Sequence, residues 1–154
     1  TEVRLRYAYI VKCVKVVKNK RGEVEAIHCT YDPQSKSGTA GAEARKVKGN
    51  IHWLSAAHAL RAEVRLYDRL FAHPHPDAGG KDYKEFLNPH SKEVISAYLE
   101  PGLSSAKPED RFQFERHGYF VADLKDTKPG KSVFNRAVTL RDSWTKHDPA
   151  RAVR

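Results

Sequence analysis

The sequence lacks several features that would assign it to a common class of protein. No apolar run approaches the roughly 18 residues of a membrane-spanning helix, and no secretory signal pattern opens the chain. Cysteine is scarce: the two residues among 154 form neither a CxxC metal pair nor a dense disulfide framework. We therefore predict a cytoplasmic protein with reduced thiols.

Sequence signatures of catalysis are also missing. The chain contains no phosphate-cradling glycine loop, no HExxH motif and no nucleophile elbow, and its eight histidines are scattered. His73, His75 and Asp77 are close in sequence, but the prolines and glycines around them fix no geometry, which favours a solvated loop over a metal site. We predict no catalysis by this chain alone, although a site assembled from distant residues stays open.

The chain has little negative charge relative to positive charge. Twenty-eight lysines and arginines stand against 19 aspartates and glutamates, which leaves a formal charge of +9. Such a surface attracts polyanions, either nucleic acid or anionic lipid. A lipid surface would require an amphipathic basic helix, whereas the basic residues here are spread over strand-like segments and loops. The pattern favours nucleic acid and no membrane partner, with a merely solubilising charge as the open alternative.

The N-terminal segment has the alternation of a strand. Apolar and aromatic side chains occupy every second position from Val3 to Cys13, and the apolar positions shift by one from Val14 onward. Such a shift inside a β-branched run indicates a bulge or a sharp bend. We predict a strand over residues 2–18 that bends near Cys13.

A turn follows at residues 19–22, with the sequence NKRG. A glycine that closes a three-residue loop suits a type I turn ending in a left-handed residue. The register that results places Val11 opposite Tyr31 and Cys13 opposite Cys29. We expect the two thiols to face each other across a hairpin as free packing groups.

The rest of the chain reads as short strands joined by turns. Further strand patterns cover residues 50–55, 62–71, 93–99, 119–123 and 133–143. Residues 32–43 are rich in turn formers and are predicted to be a mobile surface loop. Residues 72–80 mark either a subdomain boundary or a long loop, and residues 82–87 a short helix or turn. The spacing predicts an all-β chain of barrel or sandwich type without a long helix.

Residues 111–120 (RFQFERHGYF) combine this alternation with polar groups suited to reading a base. With period two, Phe112 and Phe114 face one side of a strand, while Gln113 and Glu115 face the other. An amide offers a donor and an acceptor side by side, and nearby guanidinium groups offer forked donors, which matches the edge of an unstacked base. An ordinary amphipathic strand is the open alternative.

Several segments resemble, in order, the C-terminal anticodon-binding region of glutaminyl-tRNA synthetases of bacterial type. They are EVRLR at 2–6, KVKG at 46–49 with IHW at 51–53, SAAHA at 55–59, EVRLYDRLF at 63–71, FQFERHGYF at 112–120, VFNR at 133–136 and LRDSW at 140–144. Eukaryote-type glutamyl-tRNA synthetases carry a related region and remain an alternative. QFER followed by Gly-Tyr-Phe, together with SAAHA, favours the glutaminyl family.

The resemblance implies a pair of β-barrels that grip an anticodon loop. We assign residues 1–71 with 133–150 to one barrel, the distal one, and residues 72–132 to part of the second, proximal barrel. The aminoacylating core, which uses ATP with magnesium, is implied to lie outside this chain, since neither its HIGH-type nor its KMSKS-type motif occurs here. We therefore expect an excised domain without a cofactor of its own.

The resemblance also implies individual tRNA-binding residues. An arginine of the EVRLR strand reads the first anticodon base, which corresponds to Arg4, with Arg6 close by. The glutamine and arginine of QFER read the central uracil, which corresponds to Gln113 and Arg116.

The LRD(T/S)W segment adds an arginine and a hydroxyl that contact the anticodon stretch, which correspond to Arg141 and Ser143. The implied partners are the anticodon stem-loop of tRNA(Gln) and the remainder of the synthetase in cis, with the whole acting as a monomer. A non-catalytic β-barrel interaction module, whose charge is incidental, stays open as another class of function.

Overall fold

The computed structural model of the chain describes residues 2–43 and 45–140. They form nine strands, one short α-helix and three 3-10 turns. The strands are β1 Glu2–Leu5, β2 Ile10–Lys18, β3 Val24–Asp32, β4 Gly49–Ile51, β5 Leu60–Tyr67, β6 Lys92–Leu99, β7 Arg111–Phe114, β8 Gly118–Ala122 and β9 Val133–Val138; the helix is α1 Ala40–Glu43, and the 3-10 turns are Pro33–Ser35, Tyr83–Phe86 and Pro101–Ser105. Of the predicted all-β fold, the coarser part is confirmed: the described residues are mostly β, in two mixed sheets of four and five strands. Among these residues no helix has the length and apolarity to cross a membrane.

The chain divides into two compact units, the first ending at Leu54 and the second beginning at Ser55. This division differs from the predicted grouping, which separated residues 72–132 from the rest. Strand β5, from one predicted group, pairs along its whole length with β6, from the other. The irregular segment 72–80 therefore lies inside the second unit as a long loop, which was the other interpretation of its prolines and glycines.

The first unit contains a four-stranded sheet in the order β3-β2-β1-β4. The predicted strand over residues 2–18 is wrong in one respect, because the chain reverses between Leu5 and Tyr9 and pairs β1 with β2. The Ala8 N–H donates to the Leu5 carbonyl over 2.9 Å, and Tyr7 takes a φ of 60°. The apolar residues continue in phase across this reversal, with Val3 opposite Val11. Periodicity alone therefore could not reveal the turn.

The predicted hairpin between β2 and β3 is confirmed in its register. Cys13 lies opposite Cys29, and the ladder is irregular between Cys13 and Lys15, where the bend was expected. Both cysteines are free and exposed. In the turn, the Asn19 N–H donates to the Glu23 carbonyl over 2.9 Å. A left-handed Gly22, with φ of 81°, closes the loop as its sequence predicts.

The segment predicted as a mobile surface loop, residues 32–43, contains two short helical elements that the prediction missed, a 3-10 turn and α1. The Asp32 carboxylate accepts a hydrogen bond from the Gln34 N–H over 2.9 Å. Ser35 is buried, where its hydroxyl accepts from the Ile10 N–H over 2.8 Å and donates to the Asp32 carbonyl. Side-chain to backbone bonds of this kind order a segment without producing any periodicity in the sequence.

The second unit contains a five-stranded sheet in the order β6-β5-β9-β8-β7. Strands β5 and β9 are parallel, and the other neighbours are antiparallel. One face of the sheet forms the core, in which Phe134 is fully buried. The other core residues are Ala62, Val64, Leu99, Phe120 and Ala122. The opposite face carries polar side chains and holds the candidate site.

Strand ends differ from their predicted positions by a few residues. The strand predicted at 62–71 spans Leu60–Tyr67, and the one at 93–99 spans Lys92–Leu99. The strand predicted at 133–143 ends at Val138 among the described residues. The expected short helix at 82–87 is the 3-10 turn Tyr83–Phe86.

Candidate nucleic-acid interface

Gln113 lies on the exposed face of β7, and the opposite face of this strand packs against the core. Phe112 and Phe114 are half-buried, and the Phe114 ring stacks on Phe120 with ring centroids 4.3 Å apart. Gln113 is exposed on the other face, as the alternation predicts. Its amide makes no hydrogen bond with any described residue, so both its donor and its acceptor are available to a ligand.

Arg116 lies in the turn that joins these two strands. Its φ is 66°, and the neighbouring His117 N–H donates to the Phe114 carbonyl over 2.9 Å. Gln113 and Arg116 therefore belong to one hairpin, on either side of the point where β7 ends. The structure thus places one of the two predicted residues on the strand and the other in its turn.

The hairpin requires a glycine at position 118 for both conformational and steric reasons. Its φ is 145°, and a Cβ there would lie 2.6 Å from the carbonyl oxygen of Val138. Real Cβ atoms do not approach a carbonyl so closely, and the backbone conformation itself favours glycine. Because Gly118 lets the start of β8 lie close to β9, it helps to fix the direction of β8, the strand that carries Tyr119.

A shallow groove of about 500 Å³ runs beside Gln113. Its volume lies within the usual range of small-ligand sites. Most of its surface is apolar, and Gln113 and Arg111 supply the polar groups. Its lining consists of Arg111, Phe112, Gln113, Tyr119, Phe120, Val121 and Ala137. The apolar wall of the groove lies beside the Gln113 amide, which has no hydrogen-bond partner among the described residues. This arrangement suits a flat heterocycle that stacks on the wall and forms hydrogen bonds at its edge.

Arg4, in the first unit, uses its guanidinium inside the protein. Nη1 donates to the Ser35 carbonyl over 2.8 Å and to the Ser37 hydroxyl over 3.4 Å. Nη2 donates to the carbonyls of Ala42 over 3.1 Å and Arg45 over 3.4 Å. Arg4 therefore holds the segment between β3 and β4 against β1.

Arg6 lies at the start of the reversal after β1. Its guanidinium carbon is 5.0 Å from the centroid of the Tyr7 ring, and its Nη2 donates to the Tyr7 hydroxyl over 3.3 Å. Its backbone carbonyl accepts a hydrogen bond from Trp53 Nε1 over 3.0 Å. Arg6 and the exposed Tyr7 thus form a cation–aromatic pair at the surface of the first unit.

Two predicted site residues remain, together with two lysines of the KVKG segment. Arg141 and Ser143 lie outside the described residues. Lys46 and Lys48 are exposed in the segment before β4. Over the described ranges, no group of three or more potential ligands could hold a metal ion.

An ion-pair cluster around Arg65 could not be recognised in the sequence. Arg65 Nε lies 2.7 Å from Glu63, Nη1 lies 3.2 Å from Asp123, and Nη2 lies 2.6 Å from Asp126. Hydrogen bonds to Asp126 and Glu63 and the charges of these two carboxylates raise the pKa of Arg65. The cluster connects β5 to the turn after β8. Asp126, the partner of Arg65 that is most distant in sequence, lies 61 residues further along the chain.

Asp123 connects this cluster to Asn135 and to the backbone of the turn after β8. One carboxylate oxygen accepts from Asn135 Nδ2 over 2.7 Å, and the other accepts from the N–H groups of Lys125 and Asp126, each over 2.9 Å. These bonds, with Asn135 the largest contributor, and the charge of Arg65 lower the pKa of Asp123 to about 2. The carboxylate is therefore ionised at neutral pH and fixes the turn between β8 and β9.

Comparison with known proteins places both units in one kind of domain. Residues 50–123 match the sequence model of the anticodon-binding domain of class I tRNA synthetases (E and Q), and residues 1–32 match a second model of the same description. The chain is 67% identical over 145 residues to a glutamine--tRNA ligase of Nitrosomonas europaea, and 66% identical to one of Cupriavidus metallidurans. It is 62% identical to one of Ralstonia nicotianae.

These alignments cover 94% of this chain and 25–26% of the relatives. The chain thus spans about a quarter of the length of the curated relatives it matches.

Proposed function

Since the chain belongs to the anticodon-binding domains of class I glutamyl- and glutaminyl-tRNA synthetases, we propose that it binds the anticodon loop of tRNA(Gln). The resemblance to the glutaminyl family, stated from the sequence, is confirmed, because the relatives at 62–67% identity bear the name glutamine--tRNA ligase. Glutamine is therefore favoured over glutamate as the amino acid that the parent enzyme attaches.

The observation that carries this proposal is the exposed Gln113 amide beside an apolar groove. Uracil presents an N–H donor flanked by carbonyl acceptors, and a carboxamide can pair with this edge through its oxygen and its nitrogen. A guanidinium only donates, so Arg116 in the adjoining turn would favour a carbonyl of uracil over the amino group of cytosine. Together the two residues select a central uracil.

The other residues are assigned to neighbouring positions of the anticodon. We assign the first base to Arg4 with Arg6, and the adjoining stretch to Arg141 and Ser143. The N–H groups of both Nη atoms are engaged inside the protein, so Arg4 would contact a base through its Nε–H or by giving up an acceptor such as the Ser35 carbonyl, 2.8 Å from Nη1. In the second case the segment between β3 and β4 would move on binding, as loops do in a minority of complexes.

In the parent enzyme we propose that this region works in cis with a catalytic core that joins glutamine to tRNA with ATP and magnesium in the cytoplasm. We further propose that the two sheets belong to two β-barrels and that the whole protein acts as a monomer. The support for these statements is the family membership and the mixed sheets.

A binding titration tests the assignment of Gln113. Four anticodon stem-loops that differ only in the central base are titrated against the chain and its Gln113→Ala variant. We expect the variant to lose about 1–3 kcal/mol for central uracil, the usual contribution of one good base contact, and much less for the other bases. The matched control is Gln34→Ala, which changes the other glutamine of the chain, at an exposed position in the first unit. Equal losses for all four bases would reduce Gln113 to a structural role.

A further inference from the structure

We propose that Tyr119 is the stacking platform for the base whose edge Gln113 reads, so that the groove beside β7 and β8 is a pyrimidine-nucleotide subsite. This inference rests on the proposed function and adds a specificity-supporting residue to it. None of the six residues implied by the family resemblance is aromatic, so none of them supplies an aromatic ring on which a base could stack.

The register of the hairpin places Tyr119 beside Gln113. The two residues are Cα partners in the antiparallel ladder of β7 and β8, and directly opposed side chains project from the same face with Cβ atoms about 5 Å apart. That is close enough for a ring stacked on Tyr119 to present its edge to the Gln113 amide. Both residues line the same groove.

Tyr119 is accessible to a ligand on the open face of the sheet. Its neighbour Phe120 is 4% exposed in the core, whereas Tyr119 keeps 46% of its surface exposed. In the described residues, no other aromatic ring stacks on Tyr119, so the exposed part of its ring is open to a base. The groove also contains Val121 and Ala137, whose small side chains leave space above the strand for a heterocycle.

Aromatic side chains on the open face of a sheet are an established way to hold unstacked RNA bases. Such stacking tolerates any base, because every base has a π-face. Edge contacts distinguish one base from another. Tyr119 would therefore contribute affinity, and Gln113 would contribute the choice of base.

The test separates the two contributions by changing the ligand. Dihydrouracil keeps the N–H and carbonyl groups of uracil but has lost the flat aromatic ring. We titrate the chain with two anticodon stem-loops, one with central uracil and one with central dihydrouracil. We expect the dihydrouracil stem-loop to bind about 10-fold more weakly, in line with the contribution of one base–aromatic stack.

The variants then locate the loss. Tyr119→Leu is expected to bind the uracil stem-loop about 10-fold more weakly and to show no further loss on dihydrouracil, whereas Tyr119→Phe keeps the behaviour of the original chain. The matched control is Tyr98→Leu, at another exposed tyrosine in the same sheet, on edge strand β6. It should leave both affinities unchanged. Circular dichroism and thermal melting verify that every variant is folded.

The inference is overturned if Tyr119→Leu binds both stem-loops as the original chain does, or weakens both equally while the dihydrouracil penalty persists. It also fails if Tyr98→Leu matches Tyr119→Leu. If Gln113→Ala still loses its preference for uracil in any of these cases, the proposed function of Gln113 stands and only the role of Tyr119 is rejected. If the original chain binds no stem-loop, the proposed function fails together with the inference.

Discussion

Arg65 on β5 and Asp123 after β8 form an ion pair in which Nη1 and Oδ2 are 3.2 Å apart. Both side chains are largely shielded, with 15% and 17% of their surfaces exposed. The pair connects a strand near one edge of the sheet to the turn that leads into β9. The strand pairing of β5 with β9 and this ion pair thus reinforce the same long-range connection.

The lowered pKa of Asp123 predicts a specific dependence of stability on pH. Its carboxyl has a pKa of about 2 in the folded chain, against an ordinary value of 3.8. A lowered folded pKa contributes stability above the ordinary value and loses it as pH falls through about 2, a loss of at most about 2 kcal/mol. Chemical denaturation between pH 2 and 5 should show this loss, and Asp123→Asn should flatten it. Asp77→Asn, in the loop between β5 and β6, serves as control and should retain the slope.

Gly118→Ala should destabilise the second unit. The new Cβ would lie 2.6 Å from the Val138 carbonyl at a φ of 145°, so we expect a loss of about 1–3 kcal/mol or more from strain. Gly102→Ala is the control, because no atom lies within 4 Å of the added Cβ and its φ is not in the left-handed region. Urea melts of both variants check the prediction, and equal stability of the two would contradict the steric explanation.

Arg4→Ala should loosen the segment between β3 and β4 whether or not RNA is present. The substitution removes the donors that hold the Ser35 and Ala42 carbonyls. Hydrogen exchange should become faster over residues 35–42, while Arg21→Ala, in the hairpin turn, leaves that exchange unchanged. If Arg4 also reads the first anticodon base, discrimination at that base falls in the same variant. Unchanged exchange would show that the four hydrogen bonds contribute little.

Lys46→Ala should weaken binding of every stem-loop alike. Lys46 is exposed in an irregular segment, and a flexible ammonium suits a phosphate more than a base edge. Loss of one phosphate contact flattens the slope of log affinity against log salt by about one unit. Titrations at several salt concentrations check this. A loss confined to one base would instead assign Lys46 to base recognition.

The sequence predicted local pairings well where a turn fixed the register. The three-residue loop closed by Gly22 was enough to place Cys13 opposite Cys29, because hairpin register follows from loop length. The alternation of residues 111–114 likewise placed Phe112 and Gln113 on opposite faces. Both predictions depend only on neighbouring residues.

Contacts between residues distant in the chain could not be predicted. Nothing near Arg65 in sequence identifies Asp123 as its partner, which lies 58 residues away. Nor does the EVRLR motif show that Arg4 donates to carbonyls 31 and 38 residues away. The turn at Tyr7 was missed for a different reason, since the strands on both sides of it keep one phase.

The parallel pairing of β5 with β9 has a consequence for how the second unit is made. Glu63 pairs with Val133 and Arg65 with Asn135. Strand β5, near the beginning of the unit, therefore cannot complete its pairing until β9 has been synthesised. The fully buried Phe134 also arrives with that late strand. Pairings between such distant segments close slowly, because the loop entropy is lost before the contacts form. We therefore expect the β5–β6 hairpin to form first during synthesis, with an open edge and an uncovered apolar face, and the core to close only when β9 pairs beside β5.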